Sequence, residues 1–109
     1  MTREPPDVVT ERGLRKLVGQ GWHLVLVAYE DAQFRSQHWS GSWGVRVARP
    51  DGAAEHVLVV SRAPNDERRF TTINPVFSLL DKYGVAVVHV PLHAGGRAVN
   101  IPSARWVPD

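Results

Sequence analysis

No cysteine occurs in this chain of 109 residues, and that single absence removes several function classes at once. Disulfide scaffolds, cysteine-ligated zinc, iron–sulfur clusters and thiol nucleophiles all need a residue that is not there. The absence fits a reducing compartment. Long apolar runs are missing too. The longest, Leu24 to Tyr29, falls far short of the roughly 20 residues that cross a bilayer as a helix. The opening stretch, Met1 to Pro6, is polar and proline-rich and lacks the apolar centre of a signal peptide, so the expectation is a cytoplasmic protein with no membrane partner. Lysine is scarce: the basic side is 11 Arg and 2 Lys, for a formal net charge of +2. By segment, residues 1–21 carry +1, 22–40 carry −1, 41–62 carry +1, 63–73 carry zero and 74–109 carry +1, so no basic tail marks a dedicated nucleic-acid binder. Internal repeats, heptads and low-complexity tracts are absent as well.

What is present reads as one globular domain spanning 1–109, with 1–6 and roughly 102–109 expected to be flexible ends. A hydrophobic share of 43% against 22% charged is close to the globular average, so the chain should fold without a partner around one core. Pro5 and Pro6 precede a first helix that Asp7 or Thr10 can cap, with Leu14, Leu17 and Val18 at helical spacing and Gly19 and Gly21 ending it. Its other face carries Arg12, Arg15 and Lys16. Gly13 weakens the interior by roughly 1 kcal/mol relative to alanine, so the helix depends on docking.

Trp22 to Tyr29 is the nearly unbroken apolar pattern of a strand covered on both faces. Glu30 to Ser42 reads as a polar connection. Trp43, Val45 and Val47 alternate with Gly44, Arg46 and Ala48, as in a strand with one wetter face. Pro50-Asp51-Gly52 is a turn, and Val57 to Val60 returns as the third strand. Ser61 to Thr72 reads as a second polar loop. Asn74, Pro75 and Gly84 bracket a second helix, Val85 to Val90 reads as a fourth, buried strand, and Ala98 to Ile101 as a short edge strand.

The expected fold is therefore α+β in the order α-β-β-β-α-β. The sheet is mixed and four-stranded, an antiparallel meander plus a parallel strand after a crossover helix, with both helices packed on it. Over roughly residues 8–90 that order resembles the core of restriction-endonuclease-like nucleases. The resemblance implies a metal site built from an Asp at the second strand and a Glu-x-Lys on the third. Here those strands read Ser42-Trp43-Gly44 and Val57-Leu58-Val59-Val60-Ser61-Arg62, so the motif is missing and a degenerate relative is what the resemblance allows. The α-β-β-β-α part is also similar to double-stranded-RNA-binding domains, but Asn74-Pro75-Val76-Phe77 stands where they carry lysines.

Three constellations bear on function. The segment Phe34-Arg35-Ser36-Gln37-His38-Trp39-Ser40-Gly41-Ser42-Trp43 sets aromatics among small polar residues, as recognition loops do, because tryptophan offers large contact area at small entropic cost. Trp43 belongs to the core by its spacing. Trp39 is either a recognition ring or a cover folded back over the sheet edge. In the second loop Arg62, Arg68, Arg69 and Phe70, followed by Thr71, Thr72 and a helix start, make either an anion cradle or a solvated loop in which Asp66 and Glu67 neutralise the arginines. Finally, His89 and His93 in His-Val-Pro-Leu-His are weak metal candidates that would need a third ligand such as His38, Asp81 or Glu30.

The leading expectation is a small non-enzymatic module that recognises another macromolecule, a protein first, through the 34–43 loop and an Arg-bearing surface. The residues expected to carry it are Phe34, Arg35, His38, Trp39, Arg46, Arg68, Arg69 and Phe70. A nucleic-acid-binding domain using the same arginines and Trp39 is the alternative. A metal-dependent nuclease or hydrolase is the second. No catalytic residue is assigned and no cofactor is implied, and the oligomeric state is left open.

Overall fold

The structure is a computed structural model and describes residues 8–60 and 62–103. Two stretches of apolar periodicity become helices: α1, Glu11–Gly19, and α2, Ile73–Lys82. The strands around them are β1 Val8–Val9, β2 His23–Ala28, β3 Gln33–Arg35, β4 His38–Ala48, β5 Glu55–Val60, β6 Ala63–Glu67, β7 Arg69–Thr72 and β8 Arg97–Asn100. The fold is α+β with one mixed sheet, and the sheet has 8 strands rather than four.

β4 organises the sheet because it is long, 11 residues, and is paired along both edges. On one edge its first half meets β3 and its second half β2; on the other its first half meets β7 and its second half β5, all antiparallel. The register slips between Ser40 and Trp43 opposite β7, a bulge that bends the strand where its partners change. β8 adds to the free edge of β2, antiparallel, and β6 to β5. The parallel pair is β1 with β5, through Val8 opposite Val57 and Val9 opposite Leu58.

This corrects the expected connectivity in two places. Val85 to Val90 is not a strand: no ladder forms there, and the parallel partner expected after α2 is absent from the described residues. The apolar residues of that run are explained by burial. Val85 is buried, and Val88 and Val90 pack against the core. The run is fastened instead by Asn100, fully buried, whose amide oxygen accepts from the His89 N–H at 2.7 Å while its amide nitrogen donates to the His89 carbonyl. The α-β-β-β-α-β order behind the resemblance to nucleases is therefore not the order of the described elements.

The polar connections also hold more structure than their composition suggests. Glu30 to Ser42 contains β3 and the start of β4, and Ser61 to Thr72 contains β6 and β7. Both helices end in the same closure. After α1, Gly21 at φ +95° lets its own N–H reach the Val18 carbonyl and the Trp22 N–H reach Leu17; after α2, Gly84 at φ +75° does the same for Asp81 and, through Val85, Leu80. At their starts Thr10 and Thr72 are the capping positions, so the cap of the second helix lies two residues before Asn74, and neither threonine makes a side-chain cap bond. Asp7, the other proposed cap, and residues 1–6 and 104–109, proposed as flexible ends, lie outside the described residues.

The helices cover one sheet face. Leu24, Leu26 and Ala28 of β2 stand opposite Val47, Val45 and Trp43 of β4, and Leu14, Val18, Val76, Leu79, Leu80 and Tyr83 close over them. The Trp43 indole N–H donates to the Pro91 carbonyl at 2.8 Å, tying the 85–92 segment across that core. Gly13 has a reason to be glycine: a Cβ there would lie 2.5 Å from Val9 Cγ2, so its small size lets β1 pass against the helix. No helix among the described residues is long and apolar enough to cross a membrane.

Candidate functional site

A two-residue turn projects the β3–β4 hairpin from the end of the sheet. Its central residues, Ser36 at φ +51° and Gln37 at φ +65°, both occupy the left-handed region, where the hairpin geometry would favour Asn-Gly. Holding two ordinary side chains there costs on the order of 1 kcal/mol each. The turn sets Phe34 directly opposite Trp39, and their rings stack at 5.4 Å between centroids, tilted by 50°. Neither ring is covered: Phe34 is 58% and Trp39 38% exposed, whereas Trp43, four residues on, is 1% exposed.

Of the two readings of Trp39, the structure therefore shows the less covered one. The ring borders a cleft of about 350 Å³ whose other walls are Gln37, His38, the first turn of α2 (Thr72, Ile73, Asn74) and Phe77. Phe77 is 45% exposed, so three accessible aromatic rings gather at one end of the molecule. Arg35 stands opposite His38 on the same hairpin, and both are exposed. Phe77 was absent from the sequence-derived set. Its signal was available: Val76, Leu79, Leu80 and Tyr83 form the buried stripe of α2 at helical spacing, and Phe77 falls beside it.

The remaining predicted residues are not at the hairpin tip. Phe70 is buried in the core. Arg68 lies over the Phe70 ring, 5.1 Å from its centroid, and reaches Glu11 of α1 at 4.0 Å, on the helix side. Arg69, its neighbour, points to the opposite sheet face, 4.0 Å above the Tyr29 ring and 3.9 Å from Glu67. Strand alternation thus separates the two arginines, and they do not close a common cradle over α2.

Arg46 belongs to that second face, in a network the sequence did not disclose. Glu55 accepts from Arg46 at 3.0 Å and from both terminal nitrogens of Arg97, bridging β4, β5 and β8. Nearby, the Tyr29 hydroxyl donates to Glu67 at 2.5 Å across 38 residues of chain. Gly44 makes this possible, since a Cβ on it would collide with the Glu67 carboxylate and the Tyr29 ring. The Arg97 bond, aided by Arg46, holds the Glu55 carboxyl below the usual carboxylate range against the opposing effect of burial. Burial first, and then the bond to Glu67, pushes the Tyr29 phenol up. Each carboxylate here has a cation in place, with Arg46 and Arg97 on Glu55 and Arg69 beside Glu67.

His89 and His93 are not brought into a ligand group. His93 is exposed and 3.8 Å from Asp31, while the backbone of His89 is held by Asn100. Among the described residues no three histidines, aspartates or glutamates are close enough to hold a metal.

Against known proteins the chain matches no family model, and neither a curated protein nor a solved structure matches it significantly.

Proposed function

We propose that this chain is a small interaction module that binds a partner protein through the end of the molecule formed by the β3–β4 hairpin and the start of α2. The observation that carries the reading is that exposed Trp39 and Phe77 line one cleft, with exposed Phe34 packed on Trp39, in a chain whose Trp43, Phe70 and Tyr83 are all buried. Rigid rings contribute large contact area with little entropy to lose, and interfaces concentrate their affinity in such residues. Gln37, His38 and Asn74 supply polar groups at the edge of the same cleft. The strained turn supports the reading as well, because it fixes the ring pair in advance of binding.

The test is capture from cell extract by wild type and by a Phe34→Ala, Trp39→Ala double variant, followed by titration of the purified partner. Loss of the partner with a folded variant supports the module. Equal capture by both proteins overturns it, and so does unfolding of the variant, which would make the rings structural. Nucleic acid is the second reading, favoured by one observation: Arg35 stands next to the exposed ring pair, as cations flank stacking platforms. Tryptophan fluorescence during titration with single-stranded RNA and DNA at two salt concentrations separates them, since binding through phosphates weakens steeply with salt.

A further inference from the structure

Glu11 opens α1 and sits among cations drawn from three elements. Lys82 of α2 donates to it at 2.6 Å, and Arg68, ahead of β7, lies 4.0 Å away. The Lys82 bond, joined by the charges of Lys82, Arg68 and Arg15, holds its carboxyl below the usual range. Arg12 and Lys16 are exposed on the same helix, and neither meets a carboxylate among the described residues. Of the charged side chains that line the groove beside it, Arg68 and Lys82 are cations and Glu11 is the one carboxylate among the described residues, a surplus of one positive charge. Beside Glu11 runs a groove of about 500 Å³ between α1, β7 and α2, its floor Phe70, Leu79 and Pro75, its rim Arg68, Lys82 and Ser78.

We propose that this groove docks an acidic peptide segment of a partner protein, one apolar side chain set against Pro75 and its carboxylates meeting Arg68 and Lys82. The site is separate from the hairpin cleft and goes beyond the function proposed there, although Asn74 borders both. Charge complementarity gives the sign of the partner, and the floor gives its kind. Of the apolar lining only Pro75 is exposed, so the groove can hold a small apolar side chain against that ring edge, while Phe70, buried, offers no face to stack a base. The exposed part of α1 is Arg12, Lys16 and Gly19, which offers no apolar side chain to enter a bilayer. Glu11 occupies the position of the ligand's carboxylate and competes with it.

That competition supplies a test that misfolding cannot imitate. Fluorescence anisotropy of a labelled glutamate-rich peptide containing one leucine is followed as the full chain is added at low salt. Wild type binds saturably, and binding weakens as salt rises. Glu11→Gln binds tighter by about fivefold, the equilibrium counterpart of one exposed ion pair. Arg68→Gln with Lys82→Gln binds at least about tenfold more weakly, the effect of more than one such pair. Trp39→Ala binds as wild type does, so failure here and failure of the hairpin reading are told apart. No binding at low salt, a Glu11→Gln protein that binds no tighter, or stronger binding of a single-stranded RNA or of phosphatidylserine vesicles than of the peptide would each overturn the proposal.

Discussion

Two clusters of arginine and glutamate lie on opposite sides of one sheet, and they differ in how completely their charges are matched. On the open face, Glu55 and Glu67 are met by Arg46, Arg97 and Arg69 and by the Tyr29 hydroxyl, with bonds linking β4, β5 and β8. On the helix side a single glutamate, Glu11, is shared by Lys82 and Arg68 while Arg12 and Lys16 run on past it. Both set glutamate against basic side chains. The difference lies in what fixes the side chains. Strand pairing brings the groups of the open face to neighbouring register positions, Arg46 opposite Val57 and Glu55 opposite Ala48, so their geometry is set by the ladder. The helix-side cations sit at the ends of long side chains on separate elements. Fixed geometry lets an ion pair stabilise the fold, whereas exposed pairs between mobile chains contribute little and leave charge for a ligand.

The largest expected effect breaks the first cluster at its narrowest point. Gly44→Ala places a methyl group against the Glu67 carboxylate and the Tyr29 ring, and the cost should be about 1 to 3 kcal/mol, as for other overpacked sites. Urea unfolding of the purified variant measures it. A loss near zero would mean that the Tyr29–Glu67 pair gives way freely and that this cluster is no better fixed than the other.

The second test separates the clusters by pH. Because the Glu55 carboxyl is held below its ordinary value of 4.5, its contribution is complete at pH values above that figure and is lost as pH falls through the lower folded value. Glu55→Gln should therefore cost about 1 to 2 kcal/mol at neutral pH, allowing for its partial exposure, and the difference from wild type should shrink as the solution is acidified. A difference independent of pH would show that the carboxylate's charge is not what the arginines hold.

The same contrast explains what could be read from the amino-acid order. Elements whose signal is local were legible: the stops at Gly21 and Gly84, the apolar stripe of α1, the covered strand β2, the hairpin turned at Pro50-Asp51-Gly52 and the edge strand at the end of the chain. Gly52 at φ +77° and the Gly52 N–H bond to the Arg49 carbonyl are what that turn sequence implies. Apolar periodicity reports burial, though, and burial does not require pairing. Val85 to Val90 carries a strand's composition because it covers the core, while β3 and β6 pair through backbone groups that polar side chains leave unmarked. At the hairpin the aromatic character of Phe34 and Trp39 was visible, but their exposure and the approach of Phe77 depend on contacts remote in sequence. The Tyr29–Glu67 bond belongs to the same class, as does the separation of Arg68 from Arg69 onto opposite sheet faces at the start of β7.

The smallest effect is the most discriminating. Glu11→Gln removes a carboxylate bonded to Lys82 and placed in the first turn of α1, where the helix dipole also favours it. Both terms are weakened by solvent, because about a third of the Glu11 side chain is exposed, so the loss should stay below about 1 kcal/mol. Salt then decides between a screened contact and a fixed one. Raising ionic strength should bring Glu11→Gln and wild type together in urea unfolding, while the Glu55→Gln deficit persists, since the Debye length drops to about 3 Å at 1 M and only close, partly buried bonds survive it. If instead Glu11→Gln were as damaging as Glu55→Gln and equally indifferent to salt, the helix-side cations would be as firmly committed to the fold as those of the open face. The surplus charge would then have no freedom to meet a partner, and the two clusters would be one kind of structure built twice.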